Sequence, residues 1–286
     1  MRILTSRPQS IREIVSGLNL PAAASHKGQN GKVLIIGGSS LFHSASLWAA
    51  EVASHFVDMV HYASTAENEE IFLSLKKKFH NGMVVPQEHL FEYVAEDDAI
   101  LIGPGMMRGD GKEAEYTRTI TYKLLSEFPE KKFVIDAGAL QMMDAEWLRE
   151  LKTTPIITPH QKEFEKLFGE DIFERSAADK INQVKIYAKD YRAVTLLKAI
   201  VDIVSDGQET YVIEGGNAGM TKGGTGDLLA ALTVSLYATN QPLLSAVLAS
   251  YLLKRSADKL FSRKGYWYNI EDLITVLPTE LKELAL

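Results

Sequence analysis

Short, mostly apolar runs recur along the chain, at residues 33–36, 59–63, 99–102, 133–135, 156–157 and 194–197. Helical stretches stand between several of them, at 44–56, 112–127, 163–168 and 177–190. A strand that is apolar on both faces needs cover on both faces, and helical crossovers supply it. The alternation therefore predicts an α/β fold, a doubly wound, mainly parallel sheet with helices on either side. Around Asp206-Gly207 the rhythm changes, and residues 200–205 and 210–213 predict a hairpin. Helices at 228–237 and 243–261 follow, with a short one at 271–276 that Pro278 interrupts. At the other end, Ser10 and Glu13 read as a capping box for a helix ended by Pro21, so residues 1–25 are expected to be a helical extension.

No internal repeat and no long Pro, Gly or Ser linker divides the 286 residues, so one domain, 1–286, is expected rather than two. There is no cysteine, which excludes disulfides, thiolate metal sites and cysteine nucleophiles. The net charge of −6 disfavours a whole-chain basic footprint for nucleic acid. No window reaches the roughly 18 apolar residues of a membrane span, and the N-terminus lacks the apolar core of a secretory signal. A cytoplasmic protein is expected. The basic runs 76–78 and 131–132 read as solvated faces.

Ligands of such sheets gather beyond the carboxyl ends of the strands, so the residues just after each strand are the candidates. The densest glycine run, 215–227, leads straight into the apolar stretch 228–232. Glycines remove the Cβ atoms that hold a phosphate away from the backbone, and the N-terminus of the following helix favours an anion. Asp227 stands at or just inside that helix start. It can cap the helix, or it can take a proton from a substrate hydroxyl beside the phosphate. The loop Gly223-Gly224-Thr225-Gly226 favours the base, since a cap needs no such loop. The Walker spacing is absent here and around residues 28–32, and Gly103-Pro104-Gly105 lacks the third glycine of a dinucleotide fingerprint, Arg108 standing in its place.

Thr158-Pro159-His160-Gln161 reads as a helix start, with Thr158 as N-cap, Pro159 at the first helical position and Gln161 completing the box. His160 would then project from the first turn, where the positive dipole end favours a neutral imidazole. Asp136 ends the run 133–135 and could hold a metal, orient a phosphate, or accept bonds from loop amides.

Together these residues resemble the ADP-dependent NAD(P)H-hydrate dehydratase family of the ribokinase-like superfamily, over about residues 27–251. The resemblance rests on residues 32–39 (a strand into Gly-Gly-Ser), 103–105, Thr158-Pro159-His160 with Glu163, Lys198, and 219–227. It implies phosphorylation of the hydrate's hydroxyl from ADP or ATP with Mg²⁺, then loss of phosphate and return of the reduced ring. It places Ala45, Gly105, His160 and Asp227 on the hydrated cofactor, with Asp227 as base. It places Lys198, Ala199, Ile200, Val201, Asp202, Gly224, Thr225 and Gly226 on the nucleotide. It also implies a homo-oligomer, a tetramer, with no nucleic-acid or membrane partner.

The chain departs from the family pattern at Ser44, Met106-Met107, Gly138 and Ala199, where the family usually has glycine, Leu-Gly, aspartate and glycine. Each change crowds or alters a ligand-facing loop. Two other functions fit the same phosphate loop. One is a small-molecule kinase acting on a hydroxymethyl group of a vitamin precursor; the other is a nucleotide-binding regulator without turnover.

Overall fold

A computed structural model describes residues 1–5, 8–77 and 79–286. Its strands in chain order are β1 (Arg2–Leu4), β2 (Lys32–Ile36), β3 (Met59–Ala63), β4 (Met83–Val84), β5 (Ala99–Ile102), β6 (Lys132–Ile135), β7 (Ile156–Ile157), β8 (Val194–Leu197), β9 (Asp202–Ser205) and β10 (Thr210–Ile213). They form one ten-stranded sheet in the order β1-β10-β9-β8-β7-β6-β5-β2-β3-β4. Every pairing is parallel except those of β9, which runs antiparallel to both β8 and β10. From β2 the chain winds outward through β3 and β4, then returns to β5 and winds the other way. The switch point therefore lies between β2 and β5.

The helices are α1 (Arg12–Ser16), α2 (Ser44–Ala53), α3 (Ala66–Leu75), α4 (Leu90–Glu96), α5 (Lys112–Glu127), α6 (Ala137–Met142), α7 (Gln161–Phe168), α8 (Ala177–Asp190), α9 (Thr225–Thr239), α10 (Pro242–Lys264) and α11 (Ile270–Ala285). Alternate strand residues feed two cores. Val33, Ile35, Leu101 and Val134 join α2, α9, α10 and α11 on one face. Leu34, Ile36, Ile102 and Ile135 join α4, α5 and α6 on the other. Nearly every residue of α9 from Leu228 to Ala238 is buried, which is why its sequence is apolar all round. That burial fixes where the start of α9 points.

Several local expectations need correction. The first residues do not form a helical extension: they open with β1, which pairs with β10 (Ile3 opposite Val212). Ser10 makes no capping box; its hydroxyl donates to Thr5 O (2.8 Å), and Glu13 pairs with Arg2 instead. Helix α1 stops at Ser16, before Pro21. Pro278 does not interrupt α11, which runs on to Ala285. The helix holds because Ile270, Leu273, Ile274 and Leu277 are docked in the core, and buried Glu280 pairs with Arg255 (2.8 Å) and Lys259 of α10. The basic runs are not merely solvated. Lys131 donates to Ala95 O and Asp97 O, while Lys132 donates to Tyr237 O and Ala238 O at the end of α9; lysines suit such carbonyls. Lys76 likewise donates to His80 O and Asn81 O, and Lys78 lies outside the described residues.

The loop after β5 depends on Gly103. Its φ is +124°, and a Cβ there would lie 1.8 Å from Asp136 O. Gly111 also has positive φ (+106°) but nothing within 4 Å. Gly111→Ala should therefore cost only backbone strain, about 1–3 kcal/mol. Gly103→Ala must in addition displace the Asp136 peptide, and its urea midpoint should fall well below that of Gly111→Ala. Equal midpoints would contradict the close approach.

Candidate active site

The strand ends at the switch side are stitched by backbone hydrogen bonds. Gly103 N–H donates to Ile36 O (3.1 Å), Asp136 N–H to Ile102 O (3.0 Å), Thr158 N–H to Ile135 O (3.2 Å) and Lys198 N–H to Pro159 O (2.8 Å). The sheet's register thus continues past its strands and brings Asp136, Thr158, His160 and Lys198 together.

Lys198 stands at the centre. Its Nζ is 2.6 Å from Asp136 Oδ1 and 3.7 Å from Glu163 Oε2. Burial alone would lower its pKa, but Asp136 and then Glu163 outweigh that and hold it above the ordinary lysine value. Asp136, also buried, takes a second bond from Thr158 Oγ1 (2.8 Å) on the same oxygen. Of the roles open to Asp136 in the sequence, the structure shows an ion pair with Lys198. The next residue, Ala137, has φ +45°, a left-handed conformation at a residue with a Cβ.

Thr158 is not the N-cap of α7, because its hydroxyl serves the buried Asp136, which needs partners more than an exposed helix end does. The N-cap is His160. Its Nδ1 accepts the Glu163 N–H (3.1 Å), and Glu163 Oε2 accepts the His160 N–H (2.9 Å), so His160 and Glu163 make the box. Pro159 therefore precedes the helix. An accepting Nδ1 leaves the imidazole neutral with its proton on Nε2. The His160 side chain is half-exposed, whereas Glu163 is buried and also accepts from Gln141 Nε2 (3.1 Å).

Asp227 is the third residue of α9, whose N-cap is Gly224, so the carboxylate is not the helix cap. Burial, followed by the Asp136 carboxylate, pushes its pKa up to about 7, with Lys198 opposing and Glu163 adding to the rise. A group that titrates near neutrality at a helix start suits general-base work.

Beside this cluster lies a cavity of about 530 Å³. Lys198, Ala199, Ile200, Asp202, Thr225 and Gly226 line it, as does Asn217 of the 215–227 run, together with Ser250 and Lys254, which sequence reasoning missed. Lys254 left one trace, a cation directly after the apolar run Tyr251-Leu252-Leu253. Val201 lines instead a neighbouring cleft of about 250 Å³ that shares Ala199 and Ile200. The Asp202 carboxylate is engaged within the protein, accepting from Ala199 N–H (2.8 Å) and Ser250 Oγ (2.7 Å). At the switch point, Gly38 N–H donates to Pro104 O (2.7 Å), and Gly105 faces Ala45, where an added Cβ would meet the alanine's at 3.0 Å.

The raised Asp227 pKa predicts a pH-dependent stability. An aspartate in the unfolded chain titrates near 3.9. The folded protein keeps this proton to about pH 7, so Asp227 lowers stability progressively as pH rises from about 4 to 7. Asp227→Asn should match the wild-type stability below about pH 4 and exceed it above pH 7 by about 1–2 kcal/mol once solvent screening is allowed for, read as a higher Tm. A variant less stable than wild type at every pH would contradict this.

A family model described as NAD(P)H-hydrate dehydratase matches residues 33–279. A bifunctional NAD(P)H-hydrate repair enzyme of Methanocaldococcus jannaschii is 34% identical over 269 residues, covering 90% of this chain and 49% of the relative. The chain thus spans about half the length of the bifunctional relatives it matches. An ADP-dependent (S)-NAD(P)H-hydrate dehydratase of Cenarchaeum symbiosum is 29% identical, covering 90% of this chain and 91% of that one. The fold is shared with the Bacillus subtilis ADP/ATP-dependent NAD(P)H-hydrate dehydratase co-crystallised with ATP/Mg²⁺, at TM-score 0.77 and 19% identity, covering 99% of each chain. A ribokinase-like protein of Enterococcus faecalis superimposes at TM-score 0.82 with 22% identity, covering 99% of this chain and 96% of that one. With a family match over most of its length, the chain belongs to the NAD(P)H-hydrate dehydratase family.

Proposed function

We propose that the protein restores NAD(P)H from its hydrate at the expense of ADP or ATP. The observation that carries this reading is Asp227, third residue of α9, held within electrostatic reach of Lys198 with its pKa pushed up to about 7, next in sequence to Thr225 and Gly226, which line the cavity with Lys198. The cavity has the size of a nucleotide site. Phosphates held there would meet the positive end of α9 and the Lys198 ammonium.

Asp227 takes the proton of the hydrate's hydroxyl, and the oxygen attacks the terminal phosphoryl group, whose bond to the rest of the nucleotide breaks to release AMP from ADP or ADP from ATP. The Lys198 ammonium and the helix start stabilise the charge that gathers on the transferred group. Hydroxide is a poor leaving group and phosphate a good one. The C–O bond then breaks with its electron pair leaving on phosphate, and a neighbouring C–H proton is lost as the ring double bond returns. His160, neutral and with its proton on Nε2, offers a hydrogen bond to an acceptor on the substrate. Ala45 and Gly105, which pack closely against each other, would contact the hydrate.

Among the described residues no three His, Asp or Glu side chains are placed to hold a metal ion, and Lys198 occupies the space between Asp136 and Glu163. The residues fit Mg²⁺ brought in on the nucleotide phosphates rather than a protein-built cage. So bound, it supplies neutralisation of phosphate charge. No described helix is long and apolar enough to cross a membrane. A cytoplasmic homotetramer, as the resemblance implies, completes the reading.

The test is incubation with NADH hydrate, Mg²⁺ and ADP or ATP, read by absorbance and free phosphate. The expected result is regained reduced-nicotinamide absorbance with one phosphate per cofactor. A stable phosphorylated product without absorbance would instead make the protein a kinase. Asp227→Asn should fold, bind nucleotide and turn over at least about 100-fold more slowly. Near-native turnover would remove Asp227 as base.

A further inference from the structure

Two irregular loops wall the nucleotide cavity, one through residues 199–200 between β8 and β9 and the other through residues 215–217 after β10. Both are fastened to one polar stripe on α10. Ser250, Lys254 and Asp258 follow at i, i+4 and i+8, so they share a helix face. Lys254 is the middle of that stripe and only 4% exposed. Its Nζ donates to Ile200 O at 2.7 Å and lies 3.5 Å from Ala199 O on one wall and 3.5 Å from Gly215 O on the other. Above it, Ser250 donates to Asp202, which takes the Ala199 N–H and stands 3.6 Å from Lys254. Below it, Asp258 accepts from Gly216 N–H (3.0 Å) and Asn217 Nδ2 (3.3 Å).

We propose that Lys254 is a positioning residue for the adenine nucleotide, presetting the cavity by tying its two walls to α10. An ammonium suits the task because it carries three donors and no acceptor, and three carbonyls from two loops converge on it. These bonds are part-buried, and each loop is held where its shared donor stands. Helix α10 spans 23 residues with most of its length buried, which makes it a rigid base for both attachments. The nucleotide then enters a site already formed and spends little of its binding free energy on ordering loops. The inference rests on the nucleotide-dependent reading above, but on its binding step alone.

The experiment is calorimetric titration of the full chain with ADP, and separately with NADPH as a probe of the substrate side. Lys254→Met should raise the Kd for ADP at least about tenfold while leaving the Kd for NADPH within about twofold. Removing the cation leaves Asp202 buried without its partner, so Lys254→Met can fail to fold; Asp202→Asn with Lys254→Met relieves that charge and then carries the test. The same loss of ADP affinity is expected there, because the loop carbonyls still lack their donor. Ser250→Ala should give a smaller loss in the same direction. If either folded Lys254 variant binds ADP as tightly as wild type, or both ligands weaken equally, the inference is overturned. A wild-type protein that binds ADP but does not dehydrate NADH hydrate would remove the dehydratase reading and leave this inference standing.

Discussion

The Lys198 ammonium is set among the carboxylates of Asp136, Glu163 and Asp227, and the site depends on that uneven balance. Burial is the largest cause of the raised proton affinity of Asp227, and because one cation cannot neutralise three buried or half-buried anions, the remaining negative charge raises it further. Asp136 is tied to Lys198 and Thr158, and Glu163 to the His160 backbone and Gln141. Asp227 is the one left to titrate near neutrality. In the proposed reaction it accepts a proton just as phosphoryl charge arrives beside it, so the local charge need not rise.

The backbone makes this arrangement possible. The close approach of Gly103 to Asp136 places the carboxylate, and the contact between α7 and Lys198 across Pro159 places the cation. The same packing joins two departures from the family pattern. A Cβ at Gly138 would lie 2.3 Å from Met106 O, so a larger residue is excluded at 138 while the Met106 loop has its present path. Met106 itself is buried in the core. Gly138 and Met106 are thus linked departures, distant in sequence and adjacent in space.

The sheet was legible because its central strands are apolar on both faces, a pattern that helices at those lengths do not share. Strand β1 was not legible: three residues at an edge, with Ile3 half-exposed, carry no periodicity. The continuation of α11 past Pro278 was hidden because it depends on Glu280 meeting Arg255 and Lys259 across a helix pair. In the site, Asp227 was legible from glycine density, whereas Lys198 came only with the family resemblance. The role of Thr158 was misread, since a threonine before Pro159 looks like a cap until the buried carboxylate beneath it is seen. The Ser250, Lys254 and Asp258 stripe was hidden because its partners are backbone atoms of other loops, which sequence does not place.

The central claim is that burial, with this charge balance added to it, raises the proton affinity of Asp227, and it is tested most directly by carboxyl ¹³C NMR titration of the ligand-free protein. Aspartate labelling, with Asp227→Asn to assign the resonance, isolates the group. The account predicts a midpoint at about 7. A midpoint near the ordinary aspartate value of about 3.9 would contradict it.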